Sequence, residues 1–395
     1  MRPLFSVIVP TRNRPQQLAN TLVPLSRQTL TDFEIILSDN SDSKHTQATK
    51  EIVEAISKKH NLQIRIIRPP TALNMTNHWN FAINKANGQY LGVVTDRMTL
   101  LPTTLENVLT VLQKGHCCVS YSSATLKTQD NKYYLTNPLS APTLEEVACA
   151  DVIKQFSLGN SSATCPRLLN SFVDVSTLNR MKLYTGGPLL GISPDYSFLF
   201  NYLGMLESYI HIHASLLVDH SPDVSNGLAI TRNLPNKASD DFNKIMHKEQ
   251  LDLINMRLMP DDNFFFLNII SGEYKLAAQN IPNSTLLPFN HERIYEACLI
   301  QAAKYLTTDE TSRLSFQALE KYRSKHNVPK FSVFSQLHMQ YRKIRNTYKR
   351  IHKDAVINSS RDMFTLTQLI EKAEIIANFL ELEGKKTSKL KTFEC

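Results

Sequence analysis

The chain has 395 residues, 42% of them hydrophobic, and a formal net charge of +8: enough length for two domains and enough apolar content for sizeable cores. No apolar run of about 20 residues is present, so no membrane span is expected. The basic excess comes with no nucleic-acid-binding motif, and nucleic acid is not an expected partner.

The first apolar strand begins at Phe5, which leaves no room for a signal peptide. Cys117, Cys118, Cys149, Cys165, Cys298 and Cys395 show neither metal-site spacing nor a disulfide framework, which points to a reducing cytoplasm. Sequons such as Asn74-Met-Thr then never meet the glycosylation machinery.

Phe5–Val9 is apolar and is closed by Pro10, Asn13 and Pro15, a buried first strand. From Pro15 to Ser26, Leu18, Leu22 and Leu25 fall at helical spacing, with proline at the helix start. Glu34–Ser38 is a second strand running into Asp39-Asn40-Ser41-Asp42, and a helix follows with Ile52, Val53 and Ile56 on one face. Ile64–Arg68 is a third strand. After it come a Pro-Pro loop, a helix from about Asn74 to Ala86, a stop at Gly88, and an apolar run from Tyr90 to Asp96 that reads as a buried strand. Repeated β-α units predict a parallel sheet with right-handed crossovers.

Open parallel sheets collect ligands beyond the carboxyl ends of their strands. Thr11 and Asn13 stand at the end of strand one, where side chains and loop amides meet a base or a phosphate. Arg12 and Arg14 offer fixed positive charge for a diphosphate, or are solvated loop charges. Asp39, after strand two, is placed to accept hydrogen bonds from a nucleoside. Asp96, closing strand four, is placed to hold a metal or a sugar hydroxyl beside a diphosphate; the bland alternative is a surface turn acid.

Three stretches carry a family resemblance: Phe5-Ser-Val-Ile-Val-Pro-Thr-Arg-Asn-Arg-Pro15, Gln28-Thr-Leu-Thr-Asp-Phe-Glu-Ile-Ile-Leu-Ser-Asp39, and Leu73-Asn-Met-Thr-Asn-His-Trp-Asn-Phe-Ala-Ile-Asn-Lys-Ala-Asn-Gly-Gln-Tyr90. With the Asp96 strand, they resemble the inverting glycosyltransferases of family 2, in their bacterial capsule and lipopolysaccharide members, over roughly residues 4 to 230. The resemblance implies an α/β GT-A fold: a Rossmann-like, mostly parallel sheet with flanking helices. It implies Thr11 and Asp39 on the nucleoside and Asp96 on the ribose or diphosphate, with Arg68 or Asn74 completing the pocket.

One departure from the family stands at Asp96-Arg97-Met98. Family members carry acids across this site and the last one binds the divalent metal. The Leu101-Pro102 landmark sets Met98 at that place, and a thioether is a poor ligand for Mg²⁺ or Mn²⁺. Either Asp96 and the phosphates hold a metal weakly, or Arg97 replaces it as the charge that stabilises the leaving diphosphate. A third reading is a fold that has lost activity.

Further along, Tyr184-Thr-Gly-Gly-Pro-Leu-Leu-Gly-Ile-Ser-Pro-Asp195 places an acid after a Gly/Pro-rich loop at a helix start. Inversion needs a base that removes the acceptor hydroxyl proton, and the resemblance makes Asp195 that base. On the residues alone, Ser193 and Asp195 also read as helix caps. Leu216–Gly227 resembles the closing strand and loop, which would lay His220 or the small polar residues after it on the diphosphate; a lone histidine also reads as structural.

From about Pro235 strand punctuation stops, and helices are predicted over Asp240–Met259, His291–Leu306, Glu310–His326 and Thr365–Leu382. Two domains are therefore expected, 1–235 and a helical, basic 236–395. Tyr341–Lys353 carries six Lys or Arg, with Tyr341, Ile344, Tyr348 and Ile351 at helical spacing. It reads as a solvated packed helix or as a peripheral contact with an anionic membrane surface.

The resemblance implies a glycosyltransferase, expected in the cytoplasm, either free or peripheral at the cytoplasmic face of the inner membrane. Its expected substrates are a nucleotide-diphosphate sugar and a glycan or lipid-linked acceptor in surface polysaccharide synthesis. A sugar nucleotidyltransferase would need a glycine-rich loop after strand one, and Pro10-Thr-Arg-Asn-Arg has no glycine. A degenerate transferase retained as an assembly partner is the non-enzyme alternative, motivated by Arg97 and Met98.

Overall fold

The computed structural model describes residues 2–129, 132–136, 142–220, 254–260, 262, 264–305 and 310–329. Four strands make its parallel half: β1 (Phe5–Thr11), β2 (Phe33–Asp39), β3 (Ile64–Ile67) and β4 (Tyr90–Val93), in the order β3-β2-β1-β4. All of β1 is buried, because Phe5, Val7 and Val9 enter one core and Ile8 the other. A strand covered on both faces carries an unbroken apolar run instead of an alternating one.

The connecting helices lie on both faces. α1 (Leu18–Leu25), entered through a 3-10 turn at Pro15–Gln17, and α2 (Ser43–His60) pack on the Val7 face; α3 (Met75–Ile83) packs on the Ile8 face. Asp42 caps α2 by accepting from the His45 N–H at 3.1 Å, and Asn61 ends it in the left-handed region at φ 50°. Gly88 is not the stop of α3, which ends at Ile83. A Cβ on Gly88 would sit 2.4 Å from the Ser6 backbone nitrogen, so this glycine lets the chain cross tightly against β1.

Beyond β4 the sheet is mixed. β5 (Met98–Leu100), β6 (Cys118–Gln129), β9 (Ser171–Asp174) and β10 (Ser208–Asp219) extend it in the order β4-β9-β6-β10-β5, with β7 (Lys132–Thr136) on β6 and β8 (Leu144–Ala148) on β10. β9 runs antiparallel to both neighbours, whereas β6 and β10 are parallel. α4 (Thr104–Leu112) joins the Val7-face core, and α5 (Cys149–Ser157), α6 (Val175–Thr185) and α7 (Pro194–Met205) join the other. The whole is one mixed sheet with helices on both faces.

Three more helices are described: α8 (Phe266–Asn280), α9 (His291–Tyr305) and α10 (Glu310–Lys325). The last two match the helices predicted from the sequence to within one residue at each end. α8 was not expected. It packs on α7 through Tyr274 against Phe200 (centroids 5.0 Å) and Phe266 against Tyr196 (5.4 Å), within the same core as α3 and α5. The helix expected to reach Met259 stops at Asn255, and Met256–Pro260 form turns and bends. Its start, the basic segment 341–353, the helix Thr365–Leu382 and the boundary at 235 lie outside the described residues.

Candidate active site

The chain lays β2 and β3 on one side of β1 and returns to place β4 on the other. Loops leaving β1 and β4 therefore diverge and open a crevice at this switch point. Thr11 and Asp39 are register partners at the ends of β1 and β2. The apolar run expected to stay in strand through Asp96 leaves it after Val93. A turn closed by Met98 N–H on the Thr95 carbonyl at 3.0 Å puts Asp96 and Arg97 at its corner. Asp96 faces Thr11, whose Oγ1 donates to its Oδ2 at 2.8 Å, and Arg14 Nη1 lies 3.6 Å from Oδ1. Burial pushes the Asp96 carboxyl up from its ordinary pKa, opposed by Arg14, Thr11 and Arg97.

Asp39 is buried and engaged on both oxygens. Oδ1 accepts from the Ser41 N–H at 2.9 Å, and Oδ2 accepts from Arg68 Nη1 at 3.0 Å. Arg68 also reaches the Ser41 carbonyl and Thr46 Oγ1, so it fixes the loop after β2 as well as the carboxylate.

Three of the expected ligand residues hold backbone instead. Asn13, at φ 57°, takes the Ser41 Oγ on its N–H at 2.8 Å and accepts from the Asp42 N–H at 2.9 Å, joining the loops after β1 and β2. Arg12 donates to the Leu73 carbonyl at 3.3 Å. Asn74 caps α3, its Oδ1 accepting from the Asn77 N–H at 2.8 Å. An asparagine facing orphan amide donors at a helix start satisfies them first.

Arg97 has a partner that the sequence did not announce. Its Nη1 lies 2.9 Å from Oδ2 of Asp219, the last residue of β10. Met98 pairs with Asp219 across the antiparallel β5–β10 ladder, and its side chain is 6% exposed in the core. His220 donates its N–H to the Arg97 carbonyl at 3.0 Å. Burial pushes the His220 imidazole down to about 4, so it brings no positive charge to a diphosphate near neutral pH.

The donor set does not fit a divalent cation. Asp96 spends its oxygens on Thr11 and Arg14, Met98 offers buried sulfur in place of oxygen, and Arg14 and Arg97 already supply positive charge. No group of three His, Cys, Asp or Glu suited to a metal occurs among the described residues.

Asp195 lies in the first turn of α7 and is half-buried. Ser193, at the N-cap, makes no side-chain capping bond, so the helix start is not a simple serine cap. Burial pushes the Asp195 carboxyl up; Arg167, the helix-start N–H groups of Asp195 and Tyr196, and Arg97 hold it down. Arg97 is among the smaller charges holding down both the Asp96 and the Asp195 carboxyls. Arg167 is placed by Tyr196, with Nη1 3.4 Å from the hydroxyl and its guanidinium carbon 5.7 Å from the ring centroid.

The loop before Asp195 is clamped from two sides. Asn80 of α3 donates to the Leu189 carbonyl at 2.8 Å and accepts from its N–H at 3.1 Å. Glu273 of α8, 3% exposed, accepts from the Ile192 and Ser193 N–H groups at 2.8 Å each. Gly191 turns at φ +75° against that carboxylate, where a Cβ would lie 2.8 Å from Glu273 Cγ. The Gly/Pro-rich composition of 186–194 signalled a shaped loop, but nothing near Glu273 or Arg167 marked them in the sequence.

Asp39→Ala should raise the dissociation constant for a nucleoside diphosphate about 10-fold or more while the protein stays folded, since hydrogen bonds to a charged group contribute about 1.5–3 kcal/mol. Calorimetry showing unchanged affinity would remove Asp39 from the site.

Comparison with known proteins adds a family. Residues 6–166 match the profile of glycosyl transferase family 2. A Campylobacter jejuni protein, "GalNAc(5)-diNAcBac-PP-undecaprenol beta-1,3-glucosyltransferase", is 25% identical over 144 residues, 36% of this chain and 44% of its own. An "Uncharacterized glycosyltransferase" of Haemophilus influenzae is 26% identical over 112 residues, 28% of this chain and 35% of its own. The chain thus spans less than half the length of either relative. Among solved structures, S. aureus TarS 1–349 aligns at a TM-score of 0.44 and 16% identity, covering 81% of this chain and 91% of that one. The mannosyltransferase PcManGT from Pyrobaculum calidifontis, solved with GDP-Man and Mn2+, aligns at 0.40 and 14% identity, covering 88% of each chain.

Proposed function

Residues 6–166 belong to glycosyl transferase family 2, and from that premise we propose that the chain transfers a sugar, with inversion, from a nucleoside-diphosphate donor to a glycan or lipid-linked acceptor. The observation that carries this reading is the switch-point crevice itself, where Asp96 accepts from Thr11 at 2.8 Å beside Arg14 and Asp39 accepts from Arg68 at 3.0 Å. In this mechanism Thr11 and Asp39 hold the nucleoside and Asp96 a ribose or phosphate-side hydroxyl. Arg14 and Arg97 face the diphosphate. Asp195 takes the proton of the acceptor hydroxyl as its oxygen attacks the anomeric carbon, opposite the departing nucleoside diphosphate. The Asp219 carboxylate keeps Arg97 oriented, so its charge needs no rearrangement as negative charge grows on the leaving group.

With arginines in place of a hard-oxygen set, transfer should persist in the presence of a chelator. Arg97→Ala should lower kcat more than it weakens donor binding, because the charge it meets grows in the transition state. Complete loss in chelator with restoration by Mn²⁺, together with an indifferent Arg97→Ala, would overturn this assignment.

Arg167 gives a pH signature. A base must be ionised, and a neighbouring cation favours the ionised carboxylate. Removing that cation raises the Asp195 pKa, so in Arg167→Ala the acidic limb of the kcat profile should move to higher pH. An unmoved limb would mean that Arg167 does not act on the base.

The lipid-linked acceptor and a place in surface polysaccharide synthesis are supported by the likeness to the Campylobacter relative. No helix among the described residues is long and apolar enough to cross a membrane. A lipid-borne acceptor would be met at a membrane face, with the basic segment 341–353 as the proposed contact.

A further inference from the structure

A second cavity, of about 520 Å³, lies among the helices that follow the sheet. Arg257, Lys275, His291, Lys325 and His326 line it, and no carboxylate does among the described residues. Burial pushes the Arg257 guanidinium down, opposed by the carboxylates of Glu273 and Asp262. Lys275 and Lys325 make no ion pair among the described residues, and Lys275 donates only to the Arg257 carbonyl, at 3.4 Å. Burial and the nearby Lys325 push the Lys275 amine down. His291 and His326 stack with centroids 3.7 Å apart and planes at 17°, and burial and both lysines push their pKa values down.

Like charges gathered at the wall of a concave site cost free energy that an anion would relieve. Much of the remaining wall is apolar: Leu258, Leu286, Leu287 and Phe289 line it beside Asn255, with Phe289 packed on Tyr274 at a centroid distance of 4.5 Å. The Tyr274 hydroxyl is already spent on the Leu287 carbonyl at 2.7 Å, so the ring presents only its apolar surface.

We propose that this cavity binds a phosphate ester carrying an apolar group, with Lys275 and Lys325 on the phosphate and the Leu258–Phe289 wall against the apolar part. A small polar phosphate would leave that wall uncovered, and a neutral amphiphile would leave the lysines facing one another. The site is built from residues that the transfer mechanism does not use, so it stands or falls apart from that mechanism.

Titration calorimetry with hexyl phosphate, inorganic phosphate and hexanol tests it on the full chain. Hexyl phosphate should bind saturably, and at least 10-fold more tightly than either of the others. Lys275→Gln and Lys325→Gln, each with an unchanged melting temperature, should each weaken it several-fold. Lys325 is exposed, which keeps one variant free of folding effects. Arg68→Ala, which damages the donor crevice, should leave hexyl phosphate binding untouched. No saturable binding, equal binding of hexanol or of inorganic phosphate, indifference to both lysine changes, or loss in Arg68→Ala would each overturn the proposal.

Discussion

Asp195→Asn should lower transfer by about 10²–10⁴-fold, the usual contribution of a positioned general base. Donor affinity should stay within a factor of two or so, because the crevice side chains Thr11, Asp39 and Asp96 are untouched. Stability should move by about 1 kcal/mol or less, since the variant loses a charge–dipole interaction at the α7 start but also sheds the cost of burying that charge. The three readings together separate chemistry from architecture. Near-normal turnover in the Asn variant would leave Asp195 as an element of the helix start and place the base elsewhere.

Glu273→Ala should have the second large effect, on folding and catalysis alike. It strands the Ile192 and Ser193 N–H groups, each at about 1–3 kcal/mol, and removes the carboxylate that balances Arg257. A stability loss of about 2–5 kcal/mol follows, seen as a lower denaturant midpoint at constant slope. Catalysis should fall about 10-fold or more even where the variant is fully folded, because a small misplacement at the reacting centre is costly. Glu273→Gln keeps an acceptor oxygen for the same two N–H groups and should restore most of kcat. An alanine variant with unchanged midpoint and kcat would show that the loop before Asp195 holds its shape without α8.

Much of this was readable in the sequence for a physical reason. Buried parallel strands carry long apolar runs, and Thr11, Asp39 and Asp96 stand out as polar residues at or just past the ends of those runs. Residue type alone did not separate ligands from braces. Asn13, Asn74 and Arg12 are chemically suited to a nucleotide, yet each meets a nearer backbone group in the folded chain. The Arg97–Asp219 pair spans 122 residues and exists only because β10 runs beside β5. Glu273 was equally hidden, since the Ile192 and Ser193 N–H groups it holds lie 81 and 80 residues away along the chain. Met98 was legible as a missing ligand but not as a core residue, because its burial comes from the sheet that β5 joins.

The proposed reaction is sugar transfer from a nucleoside-diphosphate donor held at the switch point. Its most direct measurement is release of nucleoside diphosphate from a panel of nucleotide sugars, run with the unaltered chain and with Asp39→Ala. At least one donor should be turned over by the unaltered chain, and Asp39→Ala should raise KM for that same donor about 10-fold or more. A folded chain that neither binds nor turns over any donor, or an Asp39→Ala variant with unchanged KM, would contradict it.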